Sequence, residues 1–259
     1  MLTIGTVQDA MAGNRRRFFN VEGGKFRGHT DFMFETEPGR GAQAFLVHQD
    51  PGWVLPVHFH MQYQMQVVVG GGGTLGRHAV GPGSVHYAAP HSAYGPLTAG
   101  PDGLEYFTLR VLTDKGAWYM PESRPMMDAA RRKDQATGDL PAGGGPAGAC
   151  TLIAQRPDGV GAWSYRGDAG ARLRCDEPSS PAGRFHVVLQ GAFRLAGAEL
   201  PRHACVFWSP PDETPTFEAL QDASVLIVVQ FPAEALDNVV PPEVLAQVPQ
   251  QAFTTATRA

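Results

Sequence analysis

The chain is predicted to be all-β, built as two tandem barrels with few short helices, and three observations predict it. Gly 31 and Pro 22 among 259 residues punctuate the sequence, and long amphipathic runs of helical period are few, which favours short strands and turns. Apolar residues gather in short extended runs at 42–48, 65–69 and 104–112, the length and pattern of strands with a buried face. The sequence also matches itself without gaps at an offset of 120 residues, and a long internal period is the mark of a duplicated unit.

At that offset Gly39 meets Gly159, Gly41 and Ala42 meet Gly161 and Ala162, and Val67 and Val68 meet Val187 and Val188. Gly71 meets Gly191, Leu75 meets Leu195, and Pro90 meets Pro210. Identities carry little weight in a chain rich in Gly and Ala; the hydrophobic classes decide. Phe45 pairs with Tyr165, Met65 with Phe185, Val69 with Leu189, Tyr87 with Phe207, Leu109 with Val229 and Val111 with Phe231.

In chain order, residues 1–120 form the first barrel with its leading strands. They include Arg15, Arg16 and Arg17, a solvated patch or subunit contact, and a strand at 42–48 whose His48 is placed as a lining residue. Residues 121–148 read as a linker, with a short helix around 126–133 and a flexible Gly/Pro-rich end. The second barrel spans 149–231. The tail, 232–259, carries PPEVLAQVPQ, whose prolines open a short helix that covers a barrel edge or a neighbouring subunit.

Chemistry concentrates in 52–71, GWVLPVHFHMQYQMQVVVGG. In an extended segment residues two apart share a face, so His58 and His60 project into one space. Gln64 opens the next strand and brings an amide oxygen to the same point. Neutral imidazole is the commonest metal ligand, and two His plus an oxygen donor describes an open mononuclear site. Gln66 follows on the same face.

The spacing Gly52, five residues, His58, one, His60, three, Gln64, six, Gly71 resembles the first motif of the cupin superfamily, with Gln64 where that family usually has Glu. The stretch Gly83 to Tyr94, GSVHYAAPHSAY, is similar to the second motif, its final His falling on Tyr94. The resemblance implies double-stranded β-helix barrels, a bicupin, and a ligand set of His58, His60, Gln64 and Tyr94 around a divalent metal ion (Fe, Mn, Ni or Zn). Gln64 keeps a carbonyl lone pair but removes the one formal negative charge. Tyr94 is alternatively a general acid or base, and His86 and His91 are candidates to replace the altered ligand or to bind substrate. In the second barrel the four positions hold Pro178, Ser180, Arg184 and Thr214, which is no metal set; Arg184 and His186 point inward there as an anion site or a structural pair.

The resemblance implies a small oxygenated organic compound as ligand or substrate. Dioxygenase-like metal chemistry comes first, lyase or isomerase chemistry next, and a metal-free binding or structural cupin is the alternative. A formal net charge of −4 and a pI near 6.1 give no case for nucleic acid. No apolar run approaches the roughly 18 residues a membrane helix needs. The first residues lack the order of a signal peptide, and three cysteines at unrelated spacings suit a reducing compartment. A cytoplasmic protein is expected, and a homodimer, since barrel edges need covering.

Overall fold

A computed structural model describes residues 1–20, 22–35, 41–249 and 252–255; the Gly39–Gly159 match lies outside them. Strand β1 (Leu2–Gly5) and helix α1 (Val7–Ala12) lead into β2 (Arg16–Phe19) and β3 (Gly28–Phe34). Thr6 and Asp9 close a reciprocal capping box at the start of α1. The first barrel continues through β4 (Gln43–Gln49), β5 (Val54–Leu55), β6 (His58–Phe59), β7 (Gln64–Leu75), β8 (His78–Val80), β9 (Val85–Ala88), β10 (Leu97–Arg110) and β11 (Trp118–Tyr119). After β12 (Gln135–Gly138) the second barrel follows: β13 (Gly148–Ile153), β14 (Gly161–Gly167), β15 (Arg172–Arg174), β16 (Arg184–Gln190), β17 (Phe193–Leu195), β18 (Ala198–Leu200), β19 (Cys205–Trp208), β20 (Thr216–Ala219) and β21 (Ser224–Gln230). The tail holds α2 (Pro242–Leu245) and β22 (Thr254–Thr255).

The fold is all-β, as the sequence predicts, and the duplication is visible strand by strand. Strands β7, β8 and β9 begin 120 residues before β16, β18 and β19. The register repeats as well: Gln64 faces Ala88 as Arg184 faces Trp208, and Met65 faces Leu109 as Phe185 faces Val229. One pair departs from the gapless repeat. Arg110 faces Gln43, whereas Gln230 faces Gly161, a slip of two residues. Because a strand repeats every two residues, the slip preserves which side chains face inward. The spatial counterpart of Phe45 is therefore Trp163, not Tyr165: the two lie across from Thr108 and Val228.

Alternation also explains the continuous apolar runs. Met65, Val67 and Val69 leave one face of β7 and pack with Phe185, Val187 and Leu189 of β16, together with Phe107, Leu109, Ile227 and Val229, in one core between the barrels. The other face of β7 carries Gln64, Gln66 and Val68, and Val68 joins a second cluster inside the first barrel. Strands buried on both faces read as unbroken hydrophobic stretches.

Segments read as leader and linker do structural work. β1 leaves the first barrel and pairs with β19 of the second; β12, within 121–148, pairs with β9 of the first. Each barrel thus receives a strand from the segment preceding the other. The short helix expected at 126–133 does not form. Pro125 stands in a 3₁₀ turn at Arg124–Met126, and Asp128 turns its carboxylate back onto the Ala130 N–H at 2.9 Å, a local bond that competes with helix. His48 does not line the barrel: it lies on the outer face, stacked on His29 with ring centroids 4.1 Å apart and bonded to Glu105. Arg16 is no free surface charge, since it grips the buried Asp31 with two bonds of 2.6 and 2.7 Å.

Candidate functional site

The sequence Pro56–Phe59 cannot run long as a strand, and β6 is held by its neighbours. His58 exchanges backbone hydrogen bonds with Tyr94, 3.1 and 3.0 Å, and faces Tyr119 of β11. Phe59 turns the other way, into a cluster with Trp118, Val240, Leu245 and Val248. His58 and His60 therefore share the inner face, with ring centroids 5.3 Å apart and planes at 89°.

Their second nitrogens are fixed. Nδ1 of His58 lies 2.7 Å from the Pro56 carbonyl, and Nδ1 of His60 lies 2.8 Å from that of Gly116. A carbonyl only accepts, so both Nδ1 atoms carry the proton and both Nε2 atoms present lone pairs. Burial, with the neighbouring charges of His60 and Arg110, pushes His58 down to about 3; burial also lowers His60. Both rings are neutral.

From there the hydrogen bonds run in one direction. The Tyr94 hydroxyl donates to His58 Nε2 at 3.0 Å, and Gln64 Nε2 donates to the Tyr94 oxygen at 2.6 Å. Gln64 Oε1 accepts from Arg110 twice, 2.6 Å from Nη2 and 3.1 Å from Nε. Arg110 Nη1 donates to Gln43 Oε1 at 2.6 Å. Arg110 Nη2 also lies 3.1 Å from His60 Nδ1, but that nitrogen's proton is already directed at Gly116, so this is a packing contact. Asp114 is the counter-charge. Burial pulls its carboxyl upward, but His60, Arg110 and the Lys115 N–H outweigh it and hold it below the usual range. Burial raises Tyr94, which stays a neutral phenol.

These groups form the polar end of a cavity of about 390 Å³, whose walls include Phe19, Phe26, Phe45, Tyr106 and Tyr119. A wider cleft of about 680 Å³ lies elsewhere, along Tyr63, Arg131–Asp134, Arg156 and Glu234. In it Arg156 is paired with Asp134 and the Tyr63 hydroxyl donates to Glu234, and it contains none of the residues just described.

Of the residues singled out in the sequence, His58, His60, Gln64 and Tyr94 meet at one point, and Gln66 lines the same cavity. His86 stands behind it, its Nδ1 on Gln66 Oε1 at 3.0 Å and its ring edge-on to Tyr94 at 4.8 Å. His91 is not brought to the site. It holds a left-handed backbone, φ 62°, stacks on the far side of Phe59 and accepts the Asp128 N–H. Arg110, Gln43 and Asp114 were not anticipated. The signal was available: Arg110 is in phase with the inward Tyr106 and Thr108 of β10, while the charged Glu105 of the same strand is out of phase with them.

Against the implied metal set, the two imidazoles fit, because each offers Nε2 while Nδ1–H is held by a carbonyl, the arrangement that orients histidine ligands. Gln64 does not fit: both lone pairs of its carbonyl are directed to Arg110. Tyr94 is compatible only by giving up its bond to His58. The second barrel bears no such set, and Arg184 there bonds Gln230, Cys175 and Glu177.

No family model and no curated protein matches the sequence. Solved structures do match the fold. A bacterial pirin from Escherichia coli, in complex with nickel(II), aligns with a TM-score of 0.56 at 10% identity over 90% of this chain and 100% of that one. A candidate dioxygenase from Nostoc punctiforme aligns at 0.61 and 12% over 100% and 88%. A mutant of oxalate decarboxylase from Bacillus subtilis aligns at 0.54 and 11% over 87% and 76%. At these identities the likeness is one of architecture.

Proposed function

We propose that the chain is a bicupin, whose fold it shares with solved structures at 10–12% identity, and that its first barrel binds a small oxygenated organic compound in its cavity. The observation that carries this is the convergence of His58, His60, Tyr94 and Arg110 at one end of a cavity whose walls include Phe19, Phe26, Phe45, Tyr106 and Tyr119, a concave site with apolar walls and a few convergent polar groups. A ligand oxygen reaching this end meets a phenol O–H and a neutral imidazole nitrogen side by side, placed to give and take a proton. The Gln64 amide steadies charge left on the Tyr94 oxygen. Thermal shift with a panel of small carboxylates, hydroxy acids and diphenols tests the reading, since a ligand stabilises by mass action; a flat response across the panel argues against it.

A second reading, a metal-dependent and dioxygenase-like enzyme, is favoured by the pinned Nδ1–H groups of His58 and His60 and by neighbours named with nickel(II), manganese(II) and dioxygenase activity. His58 and His60 would hold a divalent ion, with Tyr94 turned away from His58. Such an ion supplies Lewis-acid or oxygen chemistry when bound. Metal analysis after expression with Fe, Mn, Ni and Zn available decides: about one equivalent, lost in His58→Ala, supports this reading, and a trace content removes it.

A further inference from the structure

Outside the cavity, four neighbouring strands of the first barrel carry polar side chains on one stretch of its outer face. β2 supplies Arg16, β3 supplies His29 and Asp31, β4 supplies His48, and β10 supplies Glu105. The ladder sets them side by side: Arg16 faces Asp31, His29 faces His48, and His48 faces Glu105. A ring nitrogen of His29, a ring nitrogen of His48 and a carboxylate oxygen of Asp31 all lie within 4.8 Å of one another.

His48 Nδ1 stands 3.0 Å from Glu105 Oε1, the imidazole-to-carboxylate bond that orients a ligating histidine. Its Nε2 is buried and has no hydrogen-bond partner. Asp31 Oδ2 is 3.4 Å from that nitrogen, beyond the short bond that an imidazolium makes with a carboxylate. Two ligand atoms on one tetrahedral zinc ion, each bonded at about 2.1 Å, stand about 3.4 Å apart. Arg16 donates once to each oxygen of Asp31, at 2.6 and 2.7 Å. Each carboxylate oxygen has a second lone pair, so the guanidinium orients Asp31 without exhausting it. Burial, then His48 and Arg16, lowers His29 to about 4, which leaves it a neutral imidazole. Its plane lies 11° from that of His48, so the two lone pairs run side by side, and a turn of the His29 ring about Cβ–Cγ aims both at one point.

The duplicated sheet shows that the fold does not require this cluster. By register His29, Asp31, His48 and Glu105 correspond to Gly148, Cys150, Arg166 and Val225. There Arg166 turns to the Gly143 and Gly145 carbonyls. The first barrel alone carries the desolvation cost of a carboxylate whose side chain is fully buried beside two imidazoles.

We propose that His29, Asp31 and His48 form a site for a divalent metal of the zinc class on the outer face of the first barrel. Water completes its coordination, Glu105 orients His48, and Arg16 orients Asp31. The site is separate from His58 and His60, which face the barrel interior, and it does not depend on the ligand proposed for the cavity.

Zinc alone is the probe. The full chain is stripped with a chelator, dialysed against dilute zinc, and its metal counted by atomic absorption. His29→Ala, at a partly exposed position, and His48→Gln, whose amide still donates to Glu105, are each expected to hold one equivalent fewer than the wild type. Any ion held at His58 and His60 is common to all three proteins and cancels. A wild type that takes up no zinc overturns the inference, and so does a folded variant of either kind that keeps the wild-type content. Should His48→Gln fail to melt cooperatively, His29→Ala decides.

Discussion

The Tyr94 hydroxyl is the joint of the site, and its removal has a calculable direction. Tyr94→Phe leaves a Gln64 N–H and the His58 Nε2 lone pair without their partner in a fully buried setting. Unmet buried polar groups cost about 1–3 kcal/mol each way, so the variant should unfold at lower urea, with an unchanged slope. An unchanged midpoint would mean that the chain from Arg110 to His58 contributes nothing to folding. A second residue-scale expectation concerns pH. Burial, then the charge of Arg184, pushes His186 down to about 3; burial does the same to His58 and takes His29 and His86 to about 4. The unfolded chain protonates these groups near 6.5 and the folded chain does not, so their stability is present above pH 6.5 and is lost as pH falls toward 4. Each contributes roughly 1.4 kcal/mol per pH unit in that window. His48, raised by Asp31 and Glu105 against its own burial, works in the opposite sense but is one group against these four and against His60, His91 and His203, which burial also lowers. Urea midpoints at pH 7 and pH 5 check the sign: the value at pH 5 should be clearly lower.

At the scale of the element, β7 and β16 show what a sequence states and what it leaves out. The extended HxH segment and the next strand were legible because period-two alternation fixes facing, and it brought His58, His60 and Gln64 together; Tyr94 was reached only through the resemblance of 83–94 to the second cupin motif. The partner of Gln64 was not legible. Arg110 lies in a distant strand, and only the pairing of Met65 with Leu109 brings its guanidinium to that amide. The two-residue slip of β14 was invisible for a related reason: it changes no residue's face, so hydrophobic classes match with or without it. The misplacement of His48 follows the same logic in reverse. It shares its parity with Leu46 and Ala44, which pack between the barrels, and that shared parity was the available warning. If the outer face of β16 is core, Phe185→Ala should be costly. Its ring lies 4.8 Å from Phe207 and 5.7 Å from Phe231, and a loss of about 3–5 kcal/mol is expected from denaturant melts. A loss below 1 kcal/mol would mean that the barrels only touch there.

For the molecule as a whole, the exchange of β1 and β12 converts two barrels into one cooperative body. Both exchanged strands end on a glycine at a crossing. A Cβ on Gly5 would come within 2.8 Å of Met33 Cβ, and one on Gly138 within 2.1 Å of the Leu152 carbonyl oxygen and 3.1 Å of Ile153. Met33 and Ile153 are themselves one repeat apart. The symmetry argues that the crossings belong to the duplicated design, since each barrel's outer strand is completed only when the chain passes its neighbour at backbone contact. The core between the barrels supplies a second coupling, because its residues alternate between the two repeats. Gly5→Val tests the exchange without shortening the chain. Valine cannot pass Met33 unless β1 lifts from β19, whose Cys205–Trp208 amides lie along it in register with Leu2–Gly5. Hydrogen exchange should then accelerate at 205–208 while 85–88, covered by β12, keep their protection. Calorimetry should still show a single transition at lower temperature. Two separate transitions in the wild type, or unchanged protection at 205–208 in the variant, would mean that the barrels stand independently and that the exchanged strands are ornament.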